Sequence, residues 1–309
     1  MDVKKENDLL EQTLSIAEEG YDLAYRFLLD AYEKSPESYG PQALYFLACL
    51  AGGANLPEAA LGWLKTAIAE NGWWYRPEVL VDDDLAQLEE NPEFLALRTL
   101  SDRRYQDALA AAKPVFSWRE KKASHLFLAV HGNTQNAQTA RADWAPVFAQ
   151  DSQWQLETIQ SAEPDGYGTY RWSYDEASFL PVSGAVERMQ GEGYEKIVCG
   201  GFSAGGDMLL RALALTPARC DLRGLHSPWL PFLQEHTDDL MQALRQKEIP
   251  LRIFCGADDE DCLPLAEQLF AAAKREGLSA ALTVQEHSRH QFPEKPYTIK
   301  DLLQPEALA

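Results

Sequence analysis

Near residue 112 the spacing of apolar residues changes period, and no single layer architecture accommodates both halves. From residue 5 to about 112 the apolar positions recur at helical spacing and no convincing alternating strand interrupts them. This half is therefore expected to be an all-helical domain over residues 1–112. Beyond "AAKPVFSWREKKASH", residues 111–125, the rhythm becomes short apolar runs separated by helical ones: "HLFLAV", "WQLETIQ", "KIVCG", "LRGLHS", "LRIFCGA" and "AALTVQE". Strands that alternate with helices imply a parallel sheet. Their nearly continuous apolar content fits strands covered on both faces, as crossover helices require. Residues 113–309 are thus expected to form a doubly wound, mainly parallel α/β domain. With 46% apolar and 10% aromatic residues in 309, the chain can fill a core in each half.

Within the helical half, Ala24, Leu28, Ala31 and Pro36 recur as Ala60, Leu64 and Ala67, with the small residues Ala48 and Ala51 between them. Small residues at fixed positions let paired helices approach closely. The pattern resembles tetratricopeptide repeats, helix-turn-helix units with a period of about 34 residues. The stretch "NGWWYRPEVLVDDDLAQLEENPEFLALRTL" resembles the segment that closes such an array, so two hairpins and a capping helix are expected. That resemblance implies a concave surface for a peptide or protein partner. The same stripes of alanine and aromatic residues also serve a purely structural domain or a lid, and Trp73 and Trp74 suit a surface anchor or a core equally.

The balance of 48 acidic against 28 basic residues gives a formal charge of -20, which repels both a phosphate backbone and an anionic lipid surface. No nucleic-acid or membrane partner is expected. The first residues, "MDVKKENDLLEQTL", lack the pattern of a secretory signal, and no apolar run approaches the length of a membrane span, so a soluble cytoplasmic protein is expected. Five cysteines with no C-x-x-C pair, two of them (Cys199 and Cys255) inside apparent strands, argue against a disulfide framework.

In a doubly wound sheet the ligand lies beyond the carboxyl ends of the strands. The residues that follow each apolar run carry chemistry. "HGNTQNA" begins at His131, "ADDEDCLP" follows "LRIFCG", and "HSRHQFP" follows "AALTVQE". After "KIVCG" comes Gly201-Phe202-Ser203-Ala204-Gly205, which fits the G-x-S-x-G turn that exposes a nucleophilic serine between a strand and a helix. Nucleophile, acid and base therefore appear in that order. Beside Asp259, the acidic neighbours Asp258, Glu260 and Asp261 are alternative acids. His287, three residues before His290 but with less loop to reach across the sheet, is the alternative base. A metal held by His287 and His290 is not expected, because the segment follows a strand and meets a proline. The serine turn lacks the lysine of a phosphate-binding loop, and Asp207 in the first helical turn would repel phosphate, so no nucleotide or other cofactor is expected.

Taken together, residues from about 114 to 303, roughly three-fifths of the chain, resemble the α/β-hydrolase fold, in particular the small serine esterases of the carboxylesterase and phospholipase-like group. The resemblance implies Ser203 as nucleophile, Asp259 in "GADD" as the acid and His290 as the base. It implies an oxyanion hole from the amides of Ala204 and of Asn133 or Gly132 in the "HGN" turn, with His131 bracing that turn. Tyr170 and Trp172, in the aromatic stretch "SAEPDGYGTYRWSYDEAS", together with Phe202 and His226, are expected at the substrate site. Sealing the sheet edge is the competing role for those aromatics. The activity implied is hydrolysis of an ester or thioester of a soluble small molecule through an acyl-enzyme. Peptidase chemistry with the same triad and a non-catalytic scaffold that binds through its helices remain the competing readings.

Overall fold

Proline and asparagine set where the helices of the first half begin. In the computed structural model, which describes residues 3–117, 119–120, 122–149, 151–175, 177–292 and 297–303, α1 spans Val3–Ala17, α2 Tyr21–Lys34, α3 Pro41–Gly53, α4 Pro57–Lys65 and α5 Pro92–Ala111. Three of these start at proline, whose missing N–H would have no helical partner there and whose fixed φ suits the first turn. At α5 the Asn91 side chain also accepts from the amides of Glu93 and Phe94 at 2.9 and 3.3 Å. Successive helices pack α1 on α2, α2 on α3 and α3 on α4. The repeated alanines and leucines (Ala24, Leu28, Ala60, Leu64, Ala67) are fully buried, so the recurrence marks the helix-helix seams. Trp74 is buried against Tyr105, while Trp73 is only half-buried.

The chain divides into two compact units, one of Met1–Ala112 with Pro164–Gly168 and one of Lys113–Glu163 with Thr169–Ala309. The short segment inside the first unit bridges Gly166 to Tyr75 in antiparallel fashion and pairs Asp165 with Arg76 at 2.8 Å.

After the first unit's helices the elements run, in chain order, β1 (Val115–Phe116), β2 (His125–Val130), α6 (Ala137–Trp144) and β3 (Trp154–Gln160), and then β4 (Glu163–Gly166) and β5 (Thr169–Arg171), which pair as a separate two-stranded ribbon. There follow α7 (Leu180–Gln190), β6 (Lys196–Phe202), α8 (Ala204–Leu215), β7 (Leu222–His226), α9 (Leu233–Gln246), β8 (Leu251–Gly256), α10 (Leu263–Arg275), β9 (Ala280–Gln285) and α11 (Ile299–Leu303). The main sheet has the order β1-β3-β2-β6-β7-β8-β9 and is parallel except for the antiparallel edge pair β1/β3.

Both faces are covered, and the strands show it residue by residue. Leu126, Leu128 and Val130 of β2 join one core with residues of α7, α8, α9 and α10, whereas Phe127 and Ala129 join a second core with Trp144, Ile299 and Leu302. Alternate side chains thus face opposite layers, which is why these strands read as unbroken apolar runs. The chain steps from β2 outward to β3 and later returns to β6 on the other side of β2. That reversal puts the switch point between β2 and β6, whose ends lie side by side with Val130 opposite Gly201. No described helix is long and apolar enough to cross a membrane.

Candidate active site

Ser203 occupies the bend between β6 and α8 with φ 50° and ψ -125°, a conformation that L side chains rarely adopt. The bend is tight enough to demand its glycines. A Cβ on Gly201 would lie 2.5 Å from the Gly205 carbonyl oxygen, and one on Gly205 would lie 2.5 Å from the carbonyl oxygens of Val130 and His131. Those contacts are backbone to backbone, so no side-chain rotation relieves them. The amide of Ser203 donates to the carbonyl oxygen of His226 at 3.0 Å, which ties the bend to the neighbouring strand end.

The later strand ends bring two more groups to it. His290 Nε2 is 3.0 Å from Ser203 Oγ, and His290 Nδ1 is 2.9 Å from Asp259 Oδ2. A carboxylate only accepts, so the shared proton sits on Nδ1, and Nε2 is left to accept from the serine hydroxyl. Asp259 is almost fully buried. Burial opposes its ionisation, but the hydrogen bond and charge of His290, with Ser227 and the Cys262 amide, outweigh that and hold its pKa below the ordinary value. The amide of Cys262 donates to Asp259 Oδ1 at 3.2 Å, and its thiol Sγ lies 3.4 Å from His290 Nδ1. Gly256 allows the acid turn and the histidine loop to meet, since a Cβ there would lie 2.1 Å from the Ser288 carbonyl oxygen. His287 is exposed with φ 56° at the turn after β9.

The turn after β2 supplies directed amides. His131 is buried; its Nε2 accepts from the Ser161 amide at 3.1 Å, which places the proton on Nδ1, 2.6 Å from the Gly132 carbonyl oxygen. A trans peptide points its C=O and N–H in opposite directions, so fixing the Gly132 carbonyl also fixes the direction of the Asn133 amide. By the same rule the Ser203 carbonyl, which accepts from Gly206 at 2.9 Å, sets the direction of the Ala204 amide. The amide of Gly132 is already used, donating to Gln135 Oε1 at 2.9 Å. Of the three amides expected to serve an oxyanion, that of Gly132 therefore already has a side-chain acceptor.

Trp172 and His226, both expected at the substrate site, are buried. Trp172 is 2% exposed, stacks on His131, and donates from Nε1 to the His131 carbonyl and from its backbone to Asn133 Oδ1, both at 2.8 Å. His226 is fully buried, and its Nε2 donates to the Gln291 carbonyl at 2.9 Å, beside His290. Trp172 thus holds the turn after β2, and His226 holds the segment next to His290. Phe202 borders the site, with its ring 5.1 Å from that of His290. Tyr170 is half-buried, and its amide donates to the Gln135 carbonyl at 2.8 Å. Tyr174, which sequence reasoning passed over, is exposed and its hydroxyl accepts from Asn133 Nδ2 at 3.2 Å.

A mainly parallel sheet, a switch point between β2 and β6 and a strained serine at the head of α8 define the α/β-hydrolase fold. Residues 5–109, the helical half, match the family model described as A/B hydrolase-like, N-terminal domain, rather than a repeat-family model. An uncharacterized protein from Bacillus cereus ATCC 10987 is similar at 27% identity over 97% of this chain and 96% of its own, with a TM-score of 0.52. Esterase PE8 is similar at 14% identity over 59% of this chain and 92% of its own, TM-score 0.48. Zea mays acyl-protein thioesterase 2 is similar at 15% identity over 64% and 96%, TM-score 0.43. No curated protein matches.

Proposed function

We propose that this protein is a serine hydrolase that cleaves a carboxylic ester or thioester of a soluble substrate through an acyl-enzyme. The observation that carries the reading is the continuous chain Ser203 Oγ, His290 Nε2, His290 Nδ1 and Asp259 Oδ2, with links of 3.0 and 2.9 Å. In the acylation step Ser203 Oγ attacks the substrate carbonyl while His290 Nε2 takes its proton. The imidazolium so formed is stabilised by the ionised Asp259, and it returns the proton to the departing alcohol or thiol. Water then attacks the acyl-serine by the same route and frees the acid. Negative charge on the substrate oxygen falls to the amides of Asn133 and Ala204, each worth about 3 kcal/mol in comparable sites. An ester and a thioester pass through the same oxyanion, so the arrangement serves both.

The test is turnover of a short-chain p-nitrophenyl ester and of the matching aryl thioester by the full-length protein, Ser203→Ala and His290→Ala. The reading expects turnover of at least one substrate and its loss in both variants. Equal rates in wild type and Ser203→Ala would reject it.

A further inference from the structure

The Nδ1 edge of His290 faces a thiol as well as a carboxylate, and the acylation chemistry uses only the carboxylate. Cys262, at the start of α10 and 28 residues before His290, puts Sγ 3.4 Å from Nδ1, and one donor atom each from Asp259, Cys262 and His290 lies within 4.8 Å of the others. Carboxylate, thiol and imidazole are the ligand types of tetrahedral sites for zinc-like cations. With metal-ligand bonds of about 2.0–2.3 Å, the edges between ligand atoms in such a site are about 3.3–3.8 Å. The present sulfur-to-nitrogen separation of 3.4 Å already fits, and the oxygen-to-nitrogen separation of 2.9 Å needs to widen by only a few tenths of an ångström.

We propose that Asp259, Cys262 and His290 Nδ1 form an inhibitory site for a thiophilic divalent cation such as zinc, with water in the fourth position. Binding releases the Cys262 proton to solvent, and the cation bonds the thiolate, one carboxylate oxygen and the Nδ1 lone pair. The imidazole proton passes from Nδ1 to Nε2, so the ring remains neutral and nothing is oxidised or reduced. A ring protonated at Nε2 cannot accept from Ser203, so occupation of the site and activation of the serine exclude each other. Only this last consequence rests on the serine-hydrolase reading; the ligand set does not.

The experiment titrates the full-length protein and its Cys262→Ser and Cys262→Ala variants with cobalt(II), reading thiolate-to-cobalt absorption in the near ultraviolet. In parallel, zinc inhibition of ester hydrolysis is measured as a fraction of each variant's own rate and reversed with EDTA. One cobalt thiolate band per chain is expected in wild type and its loss in both variants, with the half-inhibitory zinc concentration raised by about 10–100-fold. A wild-type protein with no such band, a band that survives both substitutions, or equal zinc sensitivity in all three proteins would overturn the proposal. A Cys262-dependent band in a protein that hydrolyses no test ester would keep the metal site and reject the catalytic reading. Ester turnover without that band would do the reverse.

Discussion

Acid should weaken the second unit through two buried imidazoles, and one conservative substitution isolates half of the effect. Burial pushes the pKa of His226 down to about 4, against the hydrogen bond it donates to Gln291, and burial likewise pushes His131 down to about 4 against its bond to Gly132. An unfolded histidine titrates near 6.5. The folded value is the lower one, so the stability these residues contribute is complete above about pH 6.5 and is lost as pH falls toward 4. At pH 4.5 an unfolded imidazole is almost wholly protonated and a folded one about a quarter protonated. Integration gives a loss of about 2.5 kcal/mol for each histidine and about 5 kcal/mol for the pair, a large part of the roughly 5–15 kcal/mol that holds a domain folded. His226→Gln keeps a donor for the Gln291 carbonyl and removes the titration. Urea unfolding followed by far-ultraviolet ellipticity at pH 7 and 4.5 measures the outcome. The stability lost between the two pH values should be about 2.5 kcal/mol smaller in the variant, since the remaining groups cancel in the comparison. An equal loss in both proteins would show that His226 is not held neutral by the fold, and the reasoning would fail.

Asp259→Asn should lower kcat by about 10^3–10^4 with little change in KM, because an amide no longer holds the proton on Nδ1 or stabilises the imidazolium; steady-state ester kinetics with kcat preserved would contradict this. Gly205→Ala drives a Cβ to 2.5 Å from two main-chain oxygens and should cost about 1–3 kcal/mol together with most of the activity, so a thermal midpoint and turnover equal to wild type would reject it. Asp207 carries the opposite pH sign to the histidines: burial raises its pKa to about 7 despite Arg211, so stability falls as pH rises from about 4 to 7. Asp207→Asn should therefore gain up to about 4 kcal/mol over wild type at pH 8 relative to pH 4, and an unchanged difference between those pH values would refute the burial argument.

Six of the strands were legible as short runs rich in apolar residues; β2, β6, β7 and β8 are buried almost throughout, whereas β3 mixes in polar residues and β9, at the sheet edge, is only half-buried. The edge strand β1, two residues long, and the ribbon of β4 and β5, with its "EPDG" strand, are too short to show a period, and their place is set by pairing with distant residues. Ser203, Asp259 and His290 stood out because a parallel sheet gathers its chemistry at strand ends. What surrounds them did not. The claim of Gln135 on the Gly132 amide depends on a side-chain torsion that leaves no pattern in sequence. The burial of Trp172 and His226 follows from how two loops fold back on the sheet, and an aromatic residue after a strand reads equally well as a wall or a brace. The closeness of Cys262 to His290 arises only when β8 and β9 pair and Gly256 lets their following loops touch.

Reaction with a fluorophosphonate tests directly whether Ser203 is an activated nucleophile. Intact mass and peptide mapping should show one adduct per chain, on Ser203, absent from Ser203→Ala and strongly slowed in His290→Ala. A wild-type protein that forms no adduct, or forms it equally in Ser203→Ala, would show that Ser203 is not activated.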